Sequence, residues 1–399
     1  MEGDVSMIYQ YLPVDRIHYG INVVEDQLVN EIQRINGSKL LLVTTKSILK
    51  TEVYKAMLDN LHAIGMEVYV KLIKQHVPGE ILMGDIIKIK DFGPDIIVSC
   101  GGGSPIDAGK ILSLVLAENI NKEEDLYAYS ENMQKEKATM ENYIPNFAIP
   151  TTLSAAEFTS IAGTTNKRDR VKYKFYHLNM TPQLVFLDPT FTIDTPDWLW
   201  LSTGMRAVDH AVETLYSPTP NPVNTGLALQ ALEKLNKYLP LAKQYPENLE
   251  YRLECQLGAW LSLFSVDNIK LGLSHSIGHQ LGALYDIPHG LTSAIMLPSV
   301  MEFLLPRTYH QLVKITEILG VSNSELSIED NAKKAPRLIR DLVKSLEIPH
   351  RLRDFDVSQE SIPKLIENIL VDIRSEKNEF VIETKDLKME ISKLVEAVW

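Results

Sequence analysis

Apolar positions in the first half of the chain switch repeatedly between two periods. "VVEDQLVNEIQRI" has helical spacing and stops before Gly37, as an amphipathic helix ending on a glycine does. "KLLLVTT" is a continuous apolar run and predicts a buried strand. "ILKTEVYKAMLDNLHAIG" returns to helical spacing, and "MEVYV" predicts a short strand after Gly65. Another helical stretch runs to "FGP", and "DIIVSC" predicts a third buried strand. Strict alternation of helix and strand implies right-handed crossovers and a parallel sheet. Residues 119–145 are polar and charged and predict a surface excursion, after which "NFAIPTT" and "QLVFLDP" return as strands. Beyond Asp188 and Pro189 the period is helical almost to the end. The pattern predicts an α/β domain with a Rossmann-like parallel sheet over 1–188 and an all-α domain over 189–399. "KLLLV" and the N-terminal segment are candidate sheet edges for a homodimer.

Composition narrows the class. A chain of 399 residues can bury two cores, and 45% hydrophobic with 23% charged residues is ordinary for a globular protein. A net charge of −12, with Lys and Arg scattered, argues against a nucleic-acid partner. Cys100 and Cys255 stand alone, which excludes a disulfide framework or a thiolate zinc site and fits a reducing cytoplasm. The N-terminal "MEGDVSMIYQYLPVDRIHYG" has acids where a signal peptide has basic residues, and lacks an apolar core. No apolar run approaches the roughly 18 residues of a transmembrane helix. The expectation is a cytoplasmic protein without a membrane partner.

Two stretches carry candidate chemistry. In "DIIVSCGGGSPIDAGK", Gly101, Gly102 and Gly103 follow a strand, with Ser104 expected as N-cap, Pro105 at the first helical position and Asp107 in the first turn. Glycines let backbone approach a ligand, and a helix start offers free N–H groups, so the turn suits a pyrophosphate. Thr151 and Thr152 lie just past a strand end, where open α/β sheets place ligands. In "LSHSIGHQLGALYDIPHG", three of the ten histidines fall close together. His275 and His279 are four apart and share a helix face; His289 follows Pro288, where one helix ends and the next begins. A metal site and a catalytic base are both open on this spacing.

"GGGSPIDAGK", "PTT", "GMRAVDHAVETLY" and "HSIGHQLGALYDIPHG", in this order, resemble the iron-containing (group III) alcohol dehydrogenases over nearly the whole chain. Relatives of that family include maleylacetate reductase, glycerol dehydrogenase and dehydroquinate synthase. The resemblance implies a dehydroquinate synthase-like fold, with NAD(P) and a small carbonyl or alcohol substrate between the two domains. It implies cofactor contacts from Gly101, Gly102, Gly103, Ser104, Asp107, Thr151 and Thr152, with Thr45, Lys46 and Lys172 alongside. Metal-binding members use an Asp and three histidines; the histidines map onto His210, His275 and His289, and His279 onto a further active-site histidine.

The Asp position is Arg206 here, four residues before His210 and on the same helix face. A guanidinium repels a dication and cannot deprotonate to relieve it. Three neutral histidines alone can still hold zinc, so a bound Fe²⁺ or Zn²⁺ and a metal-free site both stay open. The four residues "LSAA" between Thr152 and Glu157 are similar to the maleylacetate reductase spacing, and that branch also lacks the Asp ligand. By this resemblance the protein reduces an aldehyde, ketone or oxo acid by hydride transfer. Arg206 would stabilise the developing oxyanion, clamp a substrate carboxylate, or pair with Asp209 or Glu213. His279 or His275 would act as general acid, with His210 beside them. Members preferring NAD tend to carry Asp after "VT"; here Thr45 and Lys46 follow, so NADPH is expected to be tolerated or preferred. A cyclising lyase lacks its expected basic cluster in the helical half, and a non-catalytic binding protein is the remaining rival.

Overall fold

The computed structural model describes residues 8–169, 171–264, 266–375 and 386–399. The strands among them are β1 (Arg16–Tyr19), β2 (Lys39–Thr44), β3 (Glu67–Leu72), β4 (Ile96–Gly101), β5 (Asn146–Pro150), β6 (Ile161–Asn166), β7 (Val171–Tyr176) and β8 (Leu184–Leu187). Six form a sheet of order β1-β8-β5-β4-β2-β3 in which every neighbouring pair is parallel. β6 and β7 form a separate antiparallel hairpin. The first helices are α1 (Val23–Arg34), α2 (Glu52–Ala63), α3 (Gly79–Met83), α4 (Ile86–Phe92), α5 (Gly103–Ala117) and α6 (Glu123–Tyr127).

The apolar run in β2 has a direct cause. Leu40 and Leu42 enter one core with Leu28, Ile32 and Leu61, while Leu41 and Val43 enter the opposite core with Ile111 and Leu112. Both faces are covered, so alternation disappears and every side chain from Leu40 to Val43 is apolar. Fully burying each such side chain is worth about 1.5–3 kcal/mol. For the same reason "KLLLV" is not a dimer edge: β2 is paired on both sides, by β3 and β4. The sheet ends instead on β1 and β3.

Other differences from the sequence pattern are local. β1 and the β6–β7 hairpin have no expected counterpart; β1 is short and half-exposed, and β7 shows mostly polar, exposed positions. The long helix over residues 48–65 is interrupted because Thr51 is extended and its hydroxyl caps the start of α2. The stretch ending at "FGP" is two helices, α3 and α4, separated at Gly84 and Asp85. Residues 119–145 are more than a surface excursion: they contain α6 and bury Leu126, Tyr127 and Met140 in the core beneath α5. Ser104 is not the N-cap of α5. The helix begins at Gly103 with Gly102 as cap, and the Ser104 hydroxyl accepts the His76 N–H at 3.3 Å.

After β8 the chain stays with the sheet for several residues. The Asp188 carboxylate accepts the N–H groups of Asn22, Val24 and Thr190, and the Thr195 hydroxyl donates to the Thr151 carbonyl at 2.7 Å. The compact units are Met1–Thr195 and Pro196–Trp399. The second unit comprises α7 (Asp197–Leu215), α8 (Pro222–Gln244), α9 (Leu249–Ser262), α10 (Leu273–Tyr285), α11 (His289–Ile318), α12 (Ile328–Ala332), α13 (Lys334–Leu346), α14 (Ile362–Ser375) and α15 (Leu387–Glu396), and no strand among its described residues. α7 packs on α8, α9 and α11, and α10 packs on α11 and α14. No helix among the described residues is long and apolar enough to cross a membrane.

Candidate functional site

In the first unit, the glycine turn lies where the sheet changes direction. The chain leaves β2 toward β3 on one side and leaves β4 toward β5 on the other. The turn after β4 therefore stands at the switch point, outside the carboxyl ends of the strands, where such sheets bind nucleotides. Gly101 has φ +145°, and a Cβ there would sit 2.8 Å from Pro105 Cγ, so only glycine fits. A Cβ on Gly102 would meet Thr152 at 3.0 Å. The Thr152 hydroxyl is buried and has no hydrogen-bond partner among the described residues. The start of α5 carries no side-chain cap. Free helix N–H groups, close backbone and an unsatisfied hydroxyl make a cradle that fits a pyrophosphate.

The neighbouring predicted residues divide. Thr151 continues the ladder, its N–H bonding the Gly101 carbonyl at 2.9 Å. Thr45 and Lys46 follow the end of β2 beside β4; the Thr45 and Ser47 hydroxyls are 2.9 Å apart, and Lys46 is exposed. Asp107 turns to the hairpin instead, accepting the Gly163 N–H at 3.2 Å. Burial pushes its carboxyl up, against the pull of Lys110 and Lys172. Lys110, which the sequence pattern did not single out, is fully buried. Its ammonium bonds the Ala156 carbonyl, the Thr159 hydroxyl at 2.9 Å and the Ile161 carbonyl at 3.0 Å, three acceptors for three donors. It thereby pins the loop that carries Thr152. Glu157 on that loop is buried with one oxygen unpartnered, and burial pushes it up to about 7.

In the second unit, α7, α10 and α11 bring the predicted residues together. The His210 and His275 rings stack with centroids 5.1 Å apart; His279 stands 6.4 Å from His275 and 5.6 Å from His289. Spacing explains the convergence: Arg206, His210 and Glu213 lie on one face of α7, His275 and His279 one turn apart on α10, and His289 opens α11. Arg206 Nη1 lies 3.2 Å from the Ser293 hydroxyl and 3.6 Å from Asp209. Asp209, fully buried, accepts hydroxyls from Ser293 at 2.6 Å and Ser274 at 3.1 Å.

Electrostatics follow from this packing. Burial and the nearby Glu213 charge push the Asp209 carboxyl up. Burial also raises Glu213, against the N–H groups that bond it. Burial, then the Arg206 charge, hold His210 and His275 well below the ordinary imidazole range, so both rings are neutral near pH 7. Glu213 is the residue that sequence reasoning undervalued. It was considered only as a partner for Arg206, although its place three residues after His210 was a signal.

The same geometry tests the implied metal. His275 Nε2 and His210 Nδ1 are buried without hydrogen-bond partners among the described residues and offer two lone pairs. Asp209, Glu213 and His275 also place ligand atoms within 4.8 Å of one another. Glu213 is engaged by N–H donors and Asp209 Oδ2 by two hydroxyls, while Asp209 Oδ1 is buried with no partner among the described residues. Arg206 stands in the position of the missing acid, and its charge acts on the very imidazoles a cation would need. The guanidinium charge opposes a dication at these ligand atoms.

A family model described as "Iron-containing alcohol dehydrogenase" matches residues 15–189, and one described as "Fe-containing alcohol dehydrogenase family, C-terminal" matches residues 200–395. The chain is 32% identical over 371 residues to a 1,3-propanediol dehydrogenase of Klebsiella pneumoniae, covering 92% of this chain and 93% of the relative. An NAD-dependent methanol dehydrogenase of Bacillus methanolicus is 28% identical, covering 89% of this chain and 92% of the relative. A solved structure of a 1,3-propanediol oxidoreductase superposes with a TM-score of 0.89 at 29% identity, covering 98% of this chain and 100% of that one.

Proposed function

The chain belongs to the iron-containing alcohol dehydrogenase family, and from that premise we propose a metal-independent, NAD(P)-dependent reductase of an aldehyde, ketone or oxo acid. The observation that carries the metal-free reading is Arg206, lodged 3.6 Å from Asp209 beside two neutral imidazoles. The "LSAA" spacing before Glu157 agrees with the maleylacetate reductase-like branch.

When bound, the nicotinamide supplies or accepts the hydride. Gly101, Gly102, Gly103, Ser104, Thr151 and Thr152 hold the dinucleotide, with the Thr152 hydroxyl meeting a phosphate oxygen. Thr45 and Lys46 face the ribose, and the positive charge of Lys46 makes NADPH acceptable. Asp107 and Lys172 shape the hairpin beside this cradle. Reduction builds negative charge on the substrate oxygen, and a partly buried guanidinium stabilises it far more than one in water. Arg206 supplies that charge. His275 and His279 move the proton, and His210 stacks behind them. The metal-dependent alternative draws on the two free imidazole lone pairs; Arg206 opposes it. We place the protein in the cytoplasm and, with β1 at a sheet edge, as a homodimer.

The test is turnover of NADPH and NADH against a panel of aldehydes, ketones and oxo acids. Wild-type turnover on at least one member, lost in Arg206→Ala, is expected. Absence of turnover across the panel would contradict an enzymatic role.

A further inference from the structure

Ser293 is uncharged, yet it joins two charged groups. It lies near the start of α11, fully buried, with its oxygen 3.2 Å from Arg206 Nη1 and 2.6 Å from Asp209 Oδ2. A guanidinium can only donate, so the Ser293 oxygen accepts from Arg206 whichever way the proton between hydroxyl and acid lies. The ion pair with Asp209 at 3.6 Å falls on the same nitrogen, Nη1. α10 also passes close to it: a Cβ on Gly278 would lie 3.9 Å from Nη1 and 2.8 Å from Thr292 Oγ1. An arginine side chain has many rotamers, and a bond to a buried group on another helix removes most of that freedom. The guanidinium is planar, and the edge opposite Nη1 carries two parallel donors, Nε–H and Nη2–H. Neither takes part in the contacts with Ser293 and Asp209. The side chain keeps 12% of its surface exposed.

We propose that Ser293 is a positioning residue: it holds Arg206 by Nη1, so that the Nε/Nη2 edge meets the substrate oxygen. The catalytic consequence rests on the reductase reading above; the orientation itself needs neither substrate nor cofactor. As the carbonyl is reduced, the oxygen that gains charge finds two donors already aimed, with no reorganisation at that moment. Ser274 supplies the comparison. It donates from α10 to the same Asp209 oxygen at 3.1 Å, and so holds the acid and not the guanidinium.

The orientation can be read on the protein alone, so this proposal and the reductase reading fail separately. Full-length protein labelled with ¹⁵N-arginine, with Arg206 assigned by comparison with Arg206→Lys, should show two resolved Nη signals, because the tie at Nη1 slows rotation of the guanidinium. In Ser293→Ala the two should merge; in Ser274→Ala they should stay resolved. Carbonyl-reduction kcat should fall about 10²-fold in Ser293→Ala with KM little changed, and less in Ser274→Ala. A purely structural role would lower the thermal stability of both serine variants and leave the Nη signals resolved in both. Resolved signals that merge in Ser293→Ala, in a protein that turns over no carbonyl, would fail the reductase reading and leave the orientation standing. A single averaged Nη signal in the wild type overturns the proposal, whether or not the variants fold. So does a folded Ser293→Ala variant that keeps either the two signals or the wild-type kcat.

Discussion

Arg206 and Asp209, three residues apart on α7, form an ion pair at 3.6 Å in which the acid is fully buried. The acid cannot move outward, because Ser274 and Ser293 hold the same oxygen. The cation is therefore held beside His210 and His275 with one carboxylate behind it. On the metal-free reading proposed above, this pair supplies the positive charge that a dication would otherwise bring.

Replacing the cation by the missing ligand should reverse that choice. Arg206→Asp removes a positive charge and adds a carboxylate on the face of His210. The variant should take up about one Zn²⁺ or Fe²⁺ per chain, with three histidines and one acid as ligands. Titration followed by metal analysis checks this. An Arg206→Asp variant that binds no more metal than wild type contradicts the exclusion argued from charge.

The glycine cradle predicts a binding defect of definite size. Thr152→Val keeps the shape of the side chain and removes the unpartnered hydroxyl. Loss of one hydrogen bond to a charged phosphate costs about 1.5–3 kcal/mol, or roughly 10–100-fold in Kd for NAD(P)H. Fluorescence titration measures it. An unchanged Kd places the pyrophosphate elsewhere.

Lys46 is exposed after β2, with no acid beside it in the segment Thr45 to Ser47. Lys46→Asp should weaken NADPH relative to NADH by about 10-fold, the size of one lost charged contact. The ratio of kcat/KM for the two cofactors reports it. A ratio that does not move removes Lys46 from the cofactor contacts.

How much of this could be read from the sequence depends on burial. β2 and β4 were legible because both faces are covered and their central residues form unbroken apolar runs, Leu40 to Val43 and Ile96 to Val98. Helical spacing puts Arg206 with His210, and His275 with His279, on common faces, and the family resemblance joined the two pairs. β1 and the hairpin were not, because their exposed positions break the apolar alternation that marks a strand. Ser104 misled as a cap because backbone conformation at Gly102, rather than a hydroxyl, begins α5. Glu213 stayed hidden because its partners, the N–H groups of Gly272 and Ser274, come from α10 and not from α7. Lys110 stayed hidden for a similar reason: its acceptors lie about fifty residues away in the chain.

Glu157 gives the fold a pH dependence. Its carboxyl is raised from the ordinary 4.5 to about 7 by burial, with Lys110 pulling the other way. The folded state thus holds the proton more tightly than the unfolded chain. Stability from this group is complete below pH 4.5 and declines as pH rises through about 7, by roughly 3 kcal/mol in all. Glu157→Gln should flatten that decline in urea melts between pH 5 and 8. A variant with the wild-type slope assigns the dependence to another group.

Metal content set against activity tests the central claim most directly. Protein purified without chelator or added metal should contain far less than one equivalent of iron or zinc and should reduce its substrate at a rate unaffected by EDTA. Stoichiometric metal, with activity abolished by EDTA and restored by Fe²⁺ or Zn²⁺, would show that Arg206 does not replace the ion.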